Sequence, residues 1–447
     1  MNILIIGAGN IGSQLAKRLS IQKHSITIVE QDHVKSEYAK EHLDAIVIEG
    51  SATDYKTLLF AGIESADIVA SLSNSDEVNL FVCQVAKKLN VESTIARVRN
   101  PQFLEKDFIL NKKDLGVDYF IHPEKEAAEA ILRLIRQTNA TDVIEFEDGK
   151  IKLLGIRIER DSQVLNIPLH ELSKKFGRLP FTLVAIKRNQ YTIIPSGSDI
   201  LLAGDQIFLI SKDEDIEKSL QILGKKDSSI DNVMIIGGGM ISRFICEEID
   251  KSIKLKIIEK SEKKAAVISE KYRQPLIILG DGSDLDLLNF EGLMDMDAFV
   301  SITGDDETNI ITSLVAKHLE VPRTITLIAK SEYIPLTPTI GLDSVISKQQ
   351  MTVNSIQKFI RRKQVALFAE IPGVDAEVIE FIANEGTRVC KRQLSKIKFP
   401  KKTIVGAILK GGDKLEVPKG DTQIEPGDKV IVVAEPEAIN EIERLFR

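Results

Sequence analysis

The sequence predicts an α/β chain of two doubly wound parallel-sheet domains, each followed by a small β-rich α+β module. Three observations point there. From residue 1 to about 120, short apolar runs alternate with helical patterns; a glycine turn, Gly7-Ala8-Gly9-Asn10-Ile11-Gly12, opens the first of those helical patterns; and the arrangement recurs in the second half. Alternation of strand and helix implies βαβ units and hence a parallel sheet. The turn returns as Gly237-Gly238-Gly239-Met240-Ile241-Ser242, 230 residues on, and the same offset maps Ser71 to Asn79 onto Ser301 to Asn309. Asp76, Glu77 and Asn79 recur as Asp306, Glu307 and Asn309, and Pro195, Gly197, Gly204 and Asp205 recur as Pro418, Gly420, Gly427 and Asp428. The duplication therefore spans the whole length. Arg97 to Gly116 covers 19 residues and Lys330 to Gly341, read as its match, covers 11, so the second half is expected to lack eight residues there.

Taken in order, Ile3 to Ile6, Ile26 to Val29, Ala45 to Ile48, Ile68 to Leu72 and Thr94 to Val98 read as strands. Ile11, Leu15, Ala16 and Leu19 recur at helical spacing between the first two. After Asn139 the pattern shifts to shorter strands, Leu153 to Ile158, Leu183 to Ile186, Tyr191 to Ile194 and Gln206 to Ile210, punctuated by Pro195-Ser196-Gly197 and Ala203-Gly204-Asp205. An amphipathic helix precedes each module, with Ala127, Ala128, Ile131, Leu132 and Ile135 on one stripe and Val353, Ile356, Phe359 and Ile360 on its counterpart. Such a stripe reads as core or as a helix that packs against a second subunit, and the two are expected to pack between the α/β domains and to support a tetramer. The expected domains are 1–123, 140–223, 230–348 and 366–447.

Composition narrows the function classes. The 447 residues are 43% hydrophobic and 28% charged, enough for three or four domains at roughly 100 to 200 residues each. With 66 acidic against 59 basic side chains the net charge is -7, which opposes binding to a nucleic-acid backbone. Basic runs such as Lys112-Lys113 and Arg361-Arg362-Lys363 lack interleaved aromatics and read as solvated faces. Cys83, Cys246 and Cys390 are too few and too dispersed for a disulfide framework or a zinc cluster, and Cys83 and Cys246 lie in helical patterns as small hydrophobes. Met1 leads straight into an apolar strand, and no apolar run approaches the about 18 residues of a spanning helix. The chain is expected neither to cross a membrane nor to be exported.

The glycine turn sits between a strand and an amphipathic helix and is followed by Glu30 at the end of the next strand, the context of a Rossmann-like dinucleotide site. There Gly7 permits the tight turn, Gly9 lets the backbone approach phosphates, Gly12 lets the helix pack on the sheet, and the helix end holds the anion. Glu30 is expected to accept from both ribose hydroxyls and to repel a 2′-phosphate, which disfavours NADP. A tight turn with no ligand is the alternative. In the second copy Ser242 replaces the third glycine and Glu259 is reached after a one-residue deletion, so a ligand site and a structural relic are both open.

Ser51, Thr53 and Asp54, echoed by Asp281, Ser283 and Asp284, either line the adenine side of the cleft or serve turn chemistry. Ser75 or Asp76 reads as an N-cap in a loop facing the carboxyl ends of the strands. Arg97 is placed to hold phosphate oxygens, with Lys330 read as its counterpart. The six histidines, His24, His33, His42, His122, His170 and His318, form no catalytic or metal-ligand spacing, and His122 alone stands at a strand end near the cleft.

The chain resembles the TrkA-type regulatory proteins of Trk potassium uptake, built from tandem RCK units, each an N-terminal nucleotide domain followed by a C-terminal β-rich module. The likeness rests on Gly7 to Gly12 with Glu30, Ala96-Arg97-Val98, His122-Pro123-Glu124 and the Pro195-to-Asp205 turns with their second copies, and covers the whole length. It implies a non-catalytic cytoplasmic homotetramer ring docked on a TrkH-type membrane subunit at the inner face of the membrane. NAD or NADH, and ATP or ADP, would set its conformation. The binding residues it implies are Gly7, Ala8, Gly9, Asn10, Ile11, Gly12, Glu30, Ser51, Ser73, Asn74 and Arg97, then Gly237, Gly239, Met240, Ile241, Glu259, Asp281, Thr303 and Lys330. An NAD-dependent oxidoreductase and a free-standing NADH- or ATP-sensing cytosolic protein are the competing readings. The first would need a second domain large enough to supply an acid or base, and neither small module carries one.

Overall fold

In a computed structural model, every residue is described except 106–107, 137–139, 147–149, 190, 226–229, 331, 362–366, 372–373, 412–413 and 447. Asn139, where the pattern was read to change, and Arg362-Lys363 of the second basic run lie outside the described residues.

The first parallel sheet is built from β1 (Asn2–Ile6), α1 (Asn10–Ile21), β2 (Ser25–Glu30), α2 (His33–His42), β3 (Ile46–Glu49), α3 (Tyr55–Phe60), β4 (Ile68–Ser71), α4 (Asp76–Lys88), β5 (Ser93–Arg97) and β6 (Tyr119–Ile121), and α5 (Pro123–Arg136) follows it. The first module holds β7 (Asp142–Phe146), β8 (Ile151–Arg157), α6 (Leu169–Phe176), β9 (Phe181–Arg188), β10 (Tyr191–Ile193), β11 (Gln206–Lys212) and α7 (Ile216–Ile222). The second parallel sheet repeats the plan with β12 (Asn232–Ile236), α8 (Met240–Glu248), β13 (Lys254–Glu259), α9 (Glu262–Lys271), β14 (Leu276–Leu279), α10 (Leu285–Phe290), β15 (Ala298–Ser301), α11 (Asp306–His318), β16 (Arg323–Leu327), α12 (Thr337–Ile340) and β17 (Ser344–Ile346), then α13 (Lys348–Arg361). The second module holds β18 (Leu367–Glu370), β19 (Glu377–Ile382), β20 (Thr403–Lys410), β21 (Lys414–Glu416), β22 (Lys429–Ala434) and α14 (Ile439–Phe446). The sequence reading named the first five strands and missed β7, whose DVIEF pattern is only partly buried.

Strand order is β3-β2-β1-β4-β5-β6 in the first sheet and β14-β13-β12-β15-β16-β17 in the second, with neighbouring strands parallel. The order reverses beside β1 and β12, the place where a doubly wound sheet opens its ligand crevice. Both modules are antiparallel, in matching orders β10-β9-β11-β8-β7 and β21-β20-β22-β19-β18.

Two compact units emerge, Met1–Ala128 with Ser347–Ile360, and Glu129–Ile346 with Arg361–Arg447. In the first, β1 is apolar on both faces because helices cover both. Ile3 and Ile5 meet Leu15 and Leu19 of α1, while Leu4 and Ile6 meet Leu58 of α3 and Val82 of α4. Val353, Ile356 and Ile360 of α13 join the first of these cores, and Phe359 stacks on Tyr119 at 4.9 Å. The helix after the second sheet thus completes the first. The stripe is core: α13 is covered within its own chain, and Ala127, Ala128, Ile131, Leu132 and Ile135 are buried as well. In the second unit the two antiparallel sheets share one core, with Val184, Phe208 and Ile210 against Val378, Ala407 and Ile431. The bulge in β20 falls at Gly406, where a Cβ would lie 2.5 Å from Ile210 Cδ1.

Candidate functional site

At the first crevice β1 ends at Ile6, Gly7 turns with φ +99°, and α1 starts at Asn10 after Gly9, with no side chain capping its first amides. A Cβ at Gly9 would meet nothing within 4 Å, so the approach to these amides is open. A Cβ at Gly12 would run into the Gly7 carbonyl oxygen. In the second copy Ser242 stands at that place, fully buried, and its hydroxyl donates to the Gly237 carbonyl. The second turn is therefore bonded to its helix by a side chain that the first turn has no room for.

Glu30 is buried at the end of β2, and both its oxygens are engaged: Ala8 N–H donates to Oε2 at 2.6 Å and Asp32 N–H to Oε1 at 2.9 Å. Glu259 repeats this with Gly238 N–H at 2.6 Å and Ser261 N–H at 2.8 Å. Glu30 thus buttresses the glycine turn, and since a carboxylate has about four acceptor positions it keeps some for a ligand. The shorter spacing to Glu259 is absorbed in α8, of 9 residues against 12 in α1, and does not displace the carboxylate.

Ser75 is the N-cap of α4, accepting from Val78 N–H, while Asp76 accepts from Arg99 and Asn100 N–H at 2.9 and 2.8 Å. Asn79, fully buried, accepts from Ser71 Oγ and Ser73 N–H and donates to the Ser73 and Arg97 carbonyls. It fixes the ends of β4 and β5 beside the crevice. Asn309 does the same with Ser301, Thr303 and the Leu327 carbonyl. The repeat had flagged both asparagines, but only their bonding gives them a role.

Arg97 is half-buried at the end of β5; Nη1 donates to Asn74 Oδ1 at 3.0 Å and Nε is buried without a hydrogen-bond partner. Burial lowers its guanidinium pKa and Glu124 opposes that shift. Lys330 is not its counterpart. Arg97 lies opposite Ile121 and Leu327 opposite Ile346, so Leu327 holds the equivalent place, and Asp306 bonds Lys330 N–H as Asp76 bonds Asn100 N–H. Measured from Leu327, the second half is five residues short of the first before Gly341, rather than eight. Lys330 itself is half-exposed, donates to Glu307 Oε1 at 2.6 Å and lies over the Tyr333 ring at 5.1 Å. The bond to Glu307 raises the Lys330 pKa. Gly304 stands where Asn74 does, so the second crevice has neither partner of the first.

Ser51 bonds Thr53, and Asp281 accepts from Ser283 N–H and Oγ at 2.9 and 2.7 Å; Asp54 and Asp284 cap α3 and α10. Turn and capping chemistry accounts for all six. His122 Nε2 donates to the Arg99 carbonyl at 3.1 Å and Nδ1 accepts Lys125 N–H, which makes it an N-terminal cap of α5. Burial lowers its pKa. Ser347 replaces it in the second half, accepting Gln350 N–H. Cys83 is buried and Cys246 partly so, and burial pushes the Cys246 thiol up to about 12. Exposed His33, Glu37 and Glu49 could together offer a metal three ligand atoms, but Lys40 Nζ is 2.7 Å from Glu37 Oε1 and 3.9 Å from Glu49 Oε2. Two residues that the sequence reading did not single out lie beside the first crevice: Gln349 Nε2 donates to the Asn10 carbonyl at 2.7 Å, and Lys348 Nζ lies 3.6 Å from Glu124 Oε1.

Comparison with known proteins agrees with this architecture. The TrkA-N domain family matches residues 3–123 and 233–348, and the TrkA-C domain family matches 153–224 and 378–447. Over the full length of both chains, the sequence is 33% identical to the Trk system potassium uptake protein TrkA homolog of Archaeoglobus fulgidus. It is 31% identical, again over both full lengths, to the Trk system potassium uptake protein TrkA homolog 1 of Methanosarcina mazei. Among solved structures, the GsuK channel bound to NAD has a TM-score of 0.62 at 17% identity, over 100% of this chain and 78% of that one, a likeness of fold.

Proposed function

The chain belongs to the TrkA family of Trk potassium uptake proteins, and on that premise we propose that it is a nucleotide-responsive regulatory subunit of potassium transport that acts without catalysis. The observation that carries this reading is the first crevice: uncapped amides at the start of α1, open space over Gly9, and the unpartnered Nε of Arg97 at the carboxyl edge of the sheet. Helix amides and a guanidinium are the groups that recognise phosphate. These residues fit a nucleotide diphosphate moiety. Glu30 adds a ribose acceptor whose charge disfavours a 2′-phosphate, so NAD or NADH fits better than NADP, and ATP or ADP shares the recognised groups. The name of the GsuK structure, a channel bound to NAD, supports the same ligand class.

The four domains are read as 1–123, 140–223, 230–348 and 366–447. The first site comprises the Gly7-to-Gly12 turn, Glu30, Ser73, Asn74 and Arg97. The second keeps Gly237, Gly239, Met240, Ile241, Glu259 and Thr303 as the weaker site. Among the described residues no helix is long and apolar enough to cross a membrane, which fits a cytoplasmic subunit held at the inner membrane face by a TrkH-type partner. A homotetrameric ring is the assembly we expect on that partner. A ligand regulates through its different affinity for two conformations, so the better-formed first site should carry most of the switching free energy. Calorimetric titration with NADH, NAD, ATP and ADP, with and without the pore subunit, tests the reading. Binding of at least one, together with a change in potassium flux, supports it; substrate-dependent NADH turnover at enzyme rates overturns it.

A further inference from the structure

The polar contacts of α13 with the first domain do not stop at Gln349. Arg18 of α1 donates to Asn354 Oδ1 at 2.7 Å and to Gln357 Oε1 at 3.3 Å, so α13 is tied to α1 both at the glycine turn and further along. Lys348, one residue before Gln349, is thereby held at the rim of the first crevice. Its Nζ lies 3.6 Å from Glu124 Oε1, beyond hydrogen-bond distance. Glu124 Oε2 is buried and makes no hydrogen bond. His122 Nδ1, 3.6 Å from that oxygen, already accepts Lys125 N–H and has no proton to give. Arg97 is within electrostatic reach of Glu124, and its Nε is buried and unbonded too. Two cations and a carboxylate are thus gathered at one rim with no hydrogen bond among them.

Buried polar atoms ordinarily find partners, and Glu124 Oε2 and Arg97 Nε, both buried and unbonded beside a part-exposed Lys348, leave room for a ligand's charge to enter. A terminal phosphate supplies about two negative charges and three acceptor oxygens, more than Glu124 offers either cation. We propose that Lys348 is a specificity-determining residue of the first site, exchanging Glu124 for the terminal phosphate of a nucleoside di- or triphosphate. The inference rests on the nucleotide reading of the Gly7 turn. It makes the site rank mononucleotides by phosphate number, with Glu124 as the internal competitor. A dinucleotide, whose pyrophosphate is internal, gains nothing from Lys348. The group that does the ranking belongs to the second half of the chain, so occupation of the first site is felt by α13.

The test is titration of the full-length protein with AMP, ADP, ATP and NAD in metal-free buffer, where no cation can bridge phosphate to Glu124. Wild type should rank ATP over ADP over AMP. Lys348→Met should lose about tenfold or more in ATP affinity, the size of a charge-assisted bond, with AMP and NAD nearly unchanged. Lys348→Arg should restore most of the ranking, and Glu124→Gln should shift ATP affinity upward, opposite to Lys348→Met. Retained NAD affinity shows that a variant is folded. Equal loss for all four ligands, or an unchanged ranking in Lys348→Met, overturns the inference while the nucleotide reading stands. If wild type binds none of the four, that reading fails and the inference falls with it.

Discussion

Arg97 and Leu327 hold the same place in the two halves, the first opposite Ile121 at the end of β5 and the second opposite Ile346 at the end of β16. The bond from an asparagine side chain to their carbonyls is also shared, from Asn79 and from Asn309. The backbone has been kept through the duplication, and the cation has not. At this strand end the difference between the two crevices is therefore one of charge.

Replacing Arg97 by Leu converts the first crevice to the second one's pattern. The backbone should be unaffected, since Leu327 is accommodated there. We expect nucleotide affinity to fall by about ten- to a hundredfold, the range of a charge-assisted bond to phosphate. Calorimetric titration of Arg97→Leu checks it, and unchanged affinity would show that the cation does not meet the ligand.

Glu30→Ala and Glu259→Ala should both destabilise the protein by about 1 to 3 kcal/mol, because each strands a buried backbone N–H, of Ala8 and of Gly238. Their effects on ligand should differ. Glu30→Ala is expected to weaken nucleotide binding and blunt regulation far more than Glu259→Ala, since Arg97 gives the first site its phosphate grip. Urea unfolding together with titration separates the two effects, and equal losses of affinity would reverse the ranking of the sites.

Gly12→Ser should fail in the first half although serine is native at the matching position 242. A Cβ at Gly12 meets the Gly7 carbonyl, a backbone atom that cannot move without opening the turn. Ser242→Gly, by contrast, loses one hydroxyl bond and some helix propensity, about 1 to 2 kcal/mol together. Thermal melts of the two variants should differ clearly, with Gly12→Ser the lower.

His122 gives a pH dependence whose sign follows from burial. Its folded pKa is depressed from 6.5, so on acidification the unfolded chain takes up the proton first. Stability should be unaffected by this group above about pH 6.5 and should fall as pH drops from there toward the folded value. His122→Ser, which keeps an N-cap of the kind Ser347 provides, should flatten that part of the profile. The urea midpoint at pH 7.5 and 5.5, in wild type and variant, measures it; equal slopes would remove His122 as the cause.

The sequence by itself determined the duplication, the alternation of strand and helix, and the glycine turn with its acidic partner, because each depends on spacing along the chain. Period-two and helical apolar patterns mark what is buried within one element, and a turn that needs φ > 0 needs its glycine whatever lies around it. Lys330 matches Arg97 by charge alone; the 230-residue offset points to Leu327, and the pairing of β16 with β17 fixes it there. Other answers depended on what comes together from afar. Asn79 reads as one polar residue in a helix until the ends of β4 and β5 converge on it. The periodicity of the α13 stripe marks an apolar face without saying which residues meet it, and the fold supplies them some 350 residues earlier in the chain, in Ile3, Ile5 and Ile28. Tertiary structure alone could decide the role of Asn79 and the cover of α13, since a hydrogen bond or a packed face is fixed by distance in space, and periodicity constrains only the element that carries it.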